Sequence, residues 1–544
     1  MVLPVCICRK LCTKRKYAVI YKAADVKSVI LTSAAFFALF SICVFSHKIK
    51  KKLIFERFFM LAYYLDLGVN TGLITLILKY RGDFNDIPRG LYISAEDLGS
   101  GFALAEIPPE NAAALAADEH IIYAETDKLL SFQELRESTG YSYYCRGDAE
   151  LLGNGVVIGI IDGAVDVSHP VFADVDIEYY GNTENASTRH GTAVAGVAAQ
   201  LAPRAKLICA GINETGTDFA RASEIMRAAA LLVRLSEGRP LVINISYGTN
   251  DGSHTGDSLF EEYLDSIAQN ELTAIVAATG NLGDSARHFR GVSDGAPVIA
   301  EIGVTVPVFS IGIWKNFADD FIFQLTAPNN ETYTLSNVSG RFYFHGSIFS
   351  YKGAPTPYSV NDETFLRFEN AEQGIWKAVL YPRTLATRGN VNMWLSDNIF
   401  TAPEADTTIT LPAFARRIIT AAAYNAAENT AAVFSGRGFA ADGLEKPDIA
   451  APGVNIYTAA PDNGFAAYSG TSFAAPFVSA ACAALMEWGI VRGNDPFLYG
   501  ERLKAFLRKG AQRLPNVNYP NTQWGYGSLC LENTVEALRK ETGK

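Results

Sequence analysis

The sequence lacks the spacings that would build a metal site from cysteine. Its 8 cysteines and 7 histidines contain no C-x-x-C pair and no Cys/His ligand pattern, which argues against a zinc framework. Cys6, Cys8, Cys12 and Cys43 crowd the N-terminal segment, whereas Cys145, Cys209, Cys482 and Cys530 are far apart. No disulfide framework is expected, and Cys209 and Cys482, set in apolar runs, read as buried small hydrophobes. The chain also lacks an excess of positive charge. Its formal net charge is -10, so it offers no basic surface for nucleic acid. Much of the basic charge sits early, at Arg9, Lys10, Lys14, Arg15, Lys16, Lys48, Lys50, Lys51 and Lys52. The low charged fraction of 19% beside 49% hydrophobic residues excludes wholesale disorder.

No cleavable leader is expected either. Residues 28–46, SVILTSAAFFALFSICVFS, are apolar and uncharged and just long enough to span a bilayer. No small-x-small site follows them. They read as an N-terminal membrane anchor, or as upstream sequence preceding a later start at Met60.

The 544 residues leave room for about three domains, and 45 glycines with 22 prolines suggest a loop-rich α/β or β architecture. After the N-terminal segment 1–71, residues 72–133 read as a small α+β unit. GLITLILKYRG, GFALAEIP and HIIYAETDKLL are its strands and PPENAAALAADEH its helix. From 134 to 295, Val/Ile-rich strands (VVIGIID, KLICAGI, LVINISY, TAIVAAT) alternate with helical patterns. That predicts an α/β domain whose parallel sheet is covered by helices on both faces. Residues 296–408 change to short aromatic-rich strands, an inserted β-sandwich. The α/β pattern returns over 409–535.

Three segments carry chemistry. Asp162 ends the strand of IGIIDGAVDVSHP, His190 opens RHGTAVAGVAA, and Ser472 opens the helix of YSGTSFAAPFVSAACAAL. Sites in open α/β sheets form beyond the carboxyl ends of strands, where Asp162 lies. A serine hydroxyl needs a base; His190 supplies it, and Asp162 fixes the tautomer and stabilises the imidazolium. A helix starting at Ser472 aims N–H groups at a developing oxyanion. Pro476 is expected within the first turn, where its missing N–H matters least. Asn281, after Gly280 in IVAATGNLG, is the candidate oxyanion donor. Ser246, Tyr247 and Gly248 in INISYG can pair with an extended substrate backbone, with Tyr247 at the mouth of the pocket. His169 reads as structural. Asp166, Asp174 and Asp176 read as a solvated loop face; as a set they are also the one candidate calcium site, and no other cofactor is expected.

The order Asp, His, Ser and the segments GTSFAAP, HGTAVAG and IIDGAVDVSHP resemble the subtilase family of serine proteases. Gly163-Ala164 departs from that family's usual small hydroxyl residue plus glycine after the Asp. The insertion before the Ser segment, and the tail LYGERLKAFLRKGAQRLP…WGYGSL, resemble the clostridial spore-germination (Csp) branch most. The resemblance implies that 72–133 form an inhibitory, folding-assisting propeptide. It implies a jelly-roll insertion and a serine endopeptidase made as a self-processing zymogen. Its partners are then a polypeptide substrate, either a protein precursor such as a spore cortex-lytic zymogen or a gut or surface protein, and its own propeptide. A membrane-anchored, extracellular or spore-associated location follows if the N-terminal segment is real. The branch also contains pseudoproteases, so a second reading is a propeptide-blocked signalling or binding protein on the same scaffold.

Overall fold

The computed structural model describes residues 73–132, 150–181, 188–212, 219–270, 272–335, 339–353 and 359–544. The expected anchor at 28–46 lies outside them. Among the described residues one helical run, Thr471–Val491, is long and apolar enough to cross a membrane, and it is core.

The central sheet runs from edge to edge through Thr430–Ala431, Ile419–Asn425, Thr273–Ala278, Leu241–Ile245, Val157–Asp162, Lys206–Gly211 and Ile177–Tyr180. Ile449–Pro452 also pairs with Ile419–Asn425. The inner strands are parallel, Leu241 opposite both Val157 and Thr273. They are buried along their whole length, because helices cover both faces. Alternation sorts the side chains. Ile158 and Ile160 join a core with the helices Arg189–Leu201 and Thr471–Met486. Val157 and Ile161 join the opposite core, with Ala222–Leu235 and Leu259–Ala268. The strands read from sequence in this domain are present; the glycine- and alanine-rich helices are what let the two layers close over them.

The N-terminal unit is a four-stranded antiparallel sheet, Ser94–Gly99, Phe102–Ile107, Ile74–Tyr80 and Ile121–Thr126 in spatial order. Its Ile77, Phe102 and Leu104 enter the second core. The edge strand SAEDLG was not expected. It is mostly exposed, so it has no apolar alternation to betray it.

The insertion is a sandwich of a six-stranded and a five-stranded sheet around Phe309, Leu366, Trp376 and Met393. It begins before residue 296: His288–Val292 already pairs antiparallel with Asn390–Leu395. That strand is short and half polar, which hid it from the sequence pattern. VTVPVFSIGIW, read as one strand, takes in only the last residue of one strand, Val298–Val304, and most of the next, Phe309–Asn316, with the break where Pro307 cannot donate to a ladder. Trp394 locks the sandwich to the α/β domain. Its indole is stacked between His254 and His288, with centroids 4.0 and 4.8 Å apart. Burial pushes both imidazoles down, to about 3 and about 4, so the stack is neutral. The final helix, Leu531–Thr542, carries the fold beyond 535.

Cys209 and Cys482 are free and buried, and burial raises both thiols. Cys530 departs from expectation. It is disulfide-bonded.

Candidate active site

Asp162 is the last residue of its strand and is 0% exposed. The sheet therefore delivers a buried carboxylate to its carboxyl edge. Gly163 N–H donates to Asp162 Oδ1 at 2.7 Å. His190 is the second residue of its helix, and its Nδ1 lies 2.7 Å from the same Oδ1. The helix can come this close because position 191 is glycine: a Cβ there would lie 2.6 Å from the Ala164 carbonyl oxygen. With Nδ1–H on Asp162, the lone pair of the ring is on Nε2, the arrangement a general base needs. Thr192 Oγ1 accepts from Asp166 N at 2.8 Å and ties the loop after Asp162 to this helix.

Ser472 is second in the helix Thr471–Met486 and fully buried. Its Oγ donates to the Ser246 carbonyl at 3.3 Å, and the Phe473 ring sits 5.8 Å from that of His190. Pro476 lies deeper in the helix than expected. Its missing N–H is the one that would bond the Ser472 carbonyl four residues back. Ser246 Oγ donates there instead, at 3.2 Å, and itself accepts from Asn244 Nδ2 at 3.0 Å. Ser246 thus supports the helix at the point where proline weakens it.

Asn281 stands beside the same helix end. Its Oδ1 accepts from Thr471 N at 3.0 Å and from Thr471 Oγ1 at 3.1 Å, while Thr471 Oγ1 accepts from Gly280 N at 3.1 Å. With the amide oxygen spent on Thr471, Nδ2 is the part of Asn281 that can serve an anion. Thr471 was not singled out from sequence, although its place next to Ser472 was a usable signal.

Leu129–Phe132, the end of the N-terminal unit, is the middle strand of a small antiparallel sheet, between Tyr247–Gly248 and Phe219–Arg221. Ser131 is opposite Gly248 and Phe132 opposite Tyr247. Tyr247–Gly248 is therefore paired with an extended chain, and that chain is the protein's own. Two carboxylates lead into it. Glu125 Oε2 accepts from Leu259 N at 2.6 Å, and Asp127 Oδ1 from Ser223 N at 2.7 Å; Asp127 also takes the Ser223 hydroxyl. Each sits at a helix N-terminus, where backbone donors lack partners. Neither was read from sequence. Tyr247 is not at the pocket mouth. It is 1% exposed and belongs to the core, because alternation turns it away from Ser246 and Gly248.

His169 is structural: its Nδ1 accepts from Val171 N and its Nε2 meets the Gly464 carbonyl. Asp166 bonds Ser168. Among the described residues no group of three His, Cys, Asp or Glu side chains is placed to hold a metal ion.

Residues 153–362 and 385–527 match the subtilase family. The chain belongs to the subtilase family. Residues 60–128 match the Csp protease B prodomain, so the N-terminal unit of this subtilase is a prodomain. The CspB protease of Clostridium perfringens superposes with a TM-score of 0.68 at 31% identity, covering 72% of this chain and 96% of that one. That places this subtilase in the Csp branch. Shorter similarities reach the PII-type proteinase of Lactococcus lactis subsp. cremoris, 36% identical over 110 residues, and the serine protease AprX of Bacillus subtilis, 30% over 148. They cover 18% and 24% of this chain, and only 6% and 32% of those relatives.

Proposed function

We propose that the chain is a serine endopeptidase acting through Asp162, His190 and Ser472, and that it first cuts itself between Gln133 and Glu134. The observation that carries this is the strand Leu129–Phe132, which runs in register along Tyr247–Gly248 towards Ser472. Ser131 and Phe132 take Gly248 and Tyr247, which leaves Ser246, beside Ser472, for the residue before the cut.

In this mechanism Ser472 Oγ attacks the carbonyl carbon while His190 Nε2 takes its proton. Asp162 holds the imidazolium. Asn281 Nδ2 and the N–H groups at the helix start stabilise the tetrahedral oxyanion. His190 then gives its proton to the departing nitrogen, the C–N bond breaks, and an acyl-enzyme is left. A water deprotonated by His190 hydrolyses it. Intact mass of the chain beside Ser472→Ala tests this. The native chain is expected to split after residue 133. The variant should stay whole, as in subtilisin, where loss of the nucleophile lowers turnover by about 10⁶-fold. A native chain that stays whole under all conditions refutes it.

The same strand favours a second reading. A propeptide held by two flanking strands and two helix caps can remain after the cut and keep the site occupied. Cleavage of self, without cleavage of any added polypeptide, distinguishes that case.

A further inference from the structure

We propose that Thr410 closes the floor of the pocket that receives the side chain before the cut, so the enzyme accepts a slender polar side chain and rejects aromatic rings. This rests on the protease reading above.

The reacting carbonyl must lie between the Ser246 carbonyl, which holds the Ser472 hydroxyl, and Asn281, which is fixed to Thr471. The side chain of the same residue has to leave between the segments that carry those two groups. Each contributes a glycine, Gly248 and Gly280. Their missing side chains would leave a deep slot, but it is filled. A Cβ on Gly248 would lie 2.2 Å from Thr410 Oγ1, and one on Gly280 2.5 Å from Oγ1 and 2.7 Å from Cγ2. One threonine therefore stands against both backbones at once.

Thr410 cannot swing aside easily. It is fully buried, its N–H donates to the Thr279 carbonyl at 2.9 Å, and its Oγ1 donates to the same oxygen at 3.4 Å. The next residue, Leu411, exchanges backbone hydrogen bonds of 2.9 and 3.0 Å with Thr249. Thr410 is thus stitched to both walls of the slot it blocks. Deep entry of a flat ring, which needs the full gap between two backbones, is excluded.

Beside Gly248 and Asn281 lies a cleft of about 460 Å³, also lined by Asn250, Arg287, Ser396 and Asp397, and it is the space left to the side chain before the cut. Ser396 and Asp397 belong to the inserted sandwich, and Arg287 immediately precedes its first strand, His288–Val292. Arg287 donates to the Ser396 carbonyl and lies 3.5 Å from Asp397. That pair offers a donor and an acceptor together, which suits a neutral amide better than a charge or a hydrocarbon. Gln133, the residue that precedes the proposed cut, has such a side chain.

The test uses the full chain and reads self-cleavage at position 133 by mass and rate. Gln133→Ala should cut within about fivefold of native, and Gln133→Phe at least tenfold more slowly, the scale on which pockets discriminate by shape. Adding Thr410→Gly to Gln133→Phe should recover most of that loss. Thr410→Ser, which keeps the bond to Thr279 and removes only Cγ2, should recover part of it and guards against misfolding of the glycine variant. Equal rates for Gln133→Phe and native, or a Phe/Gln ratio unmoved by either Thr410 variant, overturn the inference alone. If no version of the chain cuts, the protease reading falls and takes this inference with it.

Discussion

The grip of the prodomain on the enzyme can be tested at Asp127. This carboxylate leaves the prodomain sheet and caps the helix Ala222–Leu235, accepting the Ser223 N–H at 2.7 Å and the Ser223 hydroxyl. Hydrogen bonds to a charged acceptor contribute about 1.5–3 kcal/mol each, and a lost helix cap costs about 1 kcal/mol. Burial opposes them: it raises the Asp127 pKa despite both Ser223 bonds, so part of the gain is cancelled. A net loss of about 2 kcal/mol is reasonable for Asp127→Ala, equivalent to a dissociation constant roughly 30-fold weaker. The assay is release of the cleaved prodomain from the rest of the chain, followed with a fluorophore on the prodomain. Asp127→Asn keeps an oxygen for the Ser223 N–H and should lose about half as much in free energy. Release of the Asp127→Ala prodomain within twofold of native would refute the reasoning. The hold would then reside in the buried apolar contacts of Ile77, Phe102, Leu104 and Leu130 and not in the cap.

Three further outcomes are expected. Asn281→Ala should lower the rate of self-cleavage by about 10²–10³-fold without shifting its site, the cost of one oxyanion donor; a loss under fivefold in single-turnover kinetics contradicts that role. Ser246→Ala removes the hydroxyl that serves the Ser472 carbonyl above Pro476, leaving a buried acceptor unmet at a cost of about 1–3 kcal/mol; calorimetry of Ser472→Ala with and without it should show a lower Tm. Prodomain release should also depend on pH through Glu262, on the helix Leu259–Ala268. Burial holds this carboxyl at about 7, against the pull of Lys79 from the prodomain 3.9 Å away. A carboxyl whose pKa is raised in the complex favours the complex fully below its ordinary value near 4.5 and loses that contribution as pH rises through 7. Dissociation should therefore quicken between about pH 5 and 7 and level off above, and Glu262→Gln should flatten the profile; an unchanged profile in that variant sinks the assignment.

Much was legible in the linear chain because the signals were local. Short Val/Ile runs alternating with helical patterns read as strands buried on both faces, so the parallel sheet followed from them. A carboxylate at a strand end, and His190 and Ser472 each at the start of a small-residue helix, marked the site by chemistry and spacing. Other elements carried no local signal. The strand Ser94–Gly99 is an exposed edge whose residues need only pair, so no apolar rhythm announces it. The strand His288–Val292 belongs to the sandwich because of a partner about a hundred residues later. Pro476 looked harmless at a helix start, yet its effect depends on Ser246, far away in sequence.

What the sequence determined by itself was the layer architecture, the order of the reactive residues and the presence of a unit ahead of the enzyme. Those depend on composition and period within a few residues. Only the tertiary structure decided which way Tyr247 points, how Asp127 meets Ser223, and that Thr410 stands between Gly248 and Gly280. These are contacts between residues about a hundred or more positions apart, fixed by how the two cores pack and by where the inserted sandwich returns the chain, and a pocket is shaped by such contacts alone.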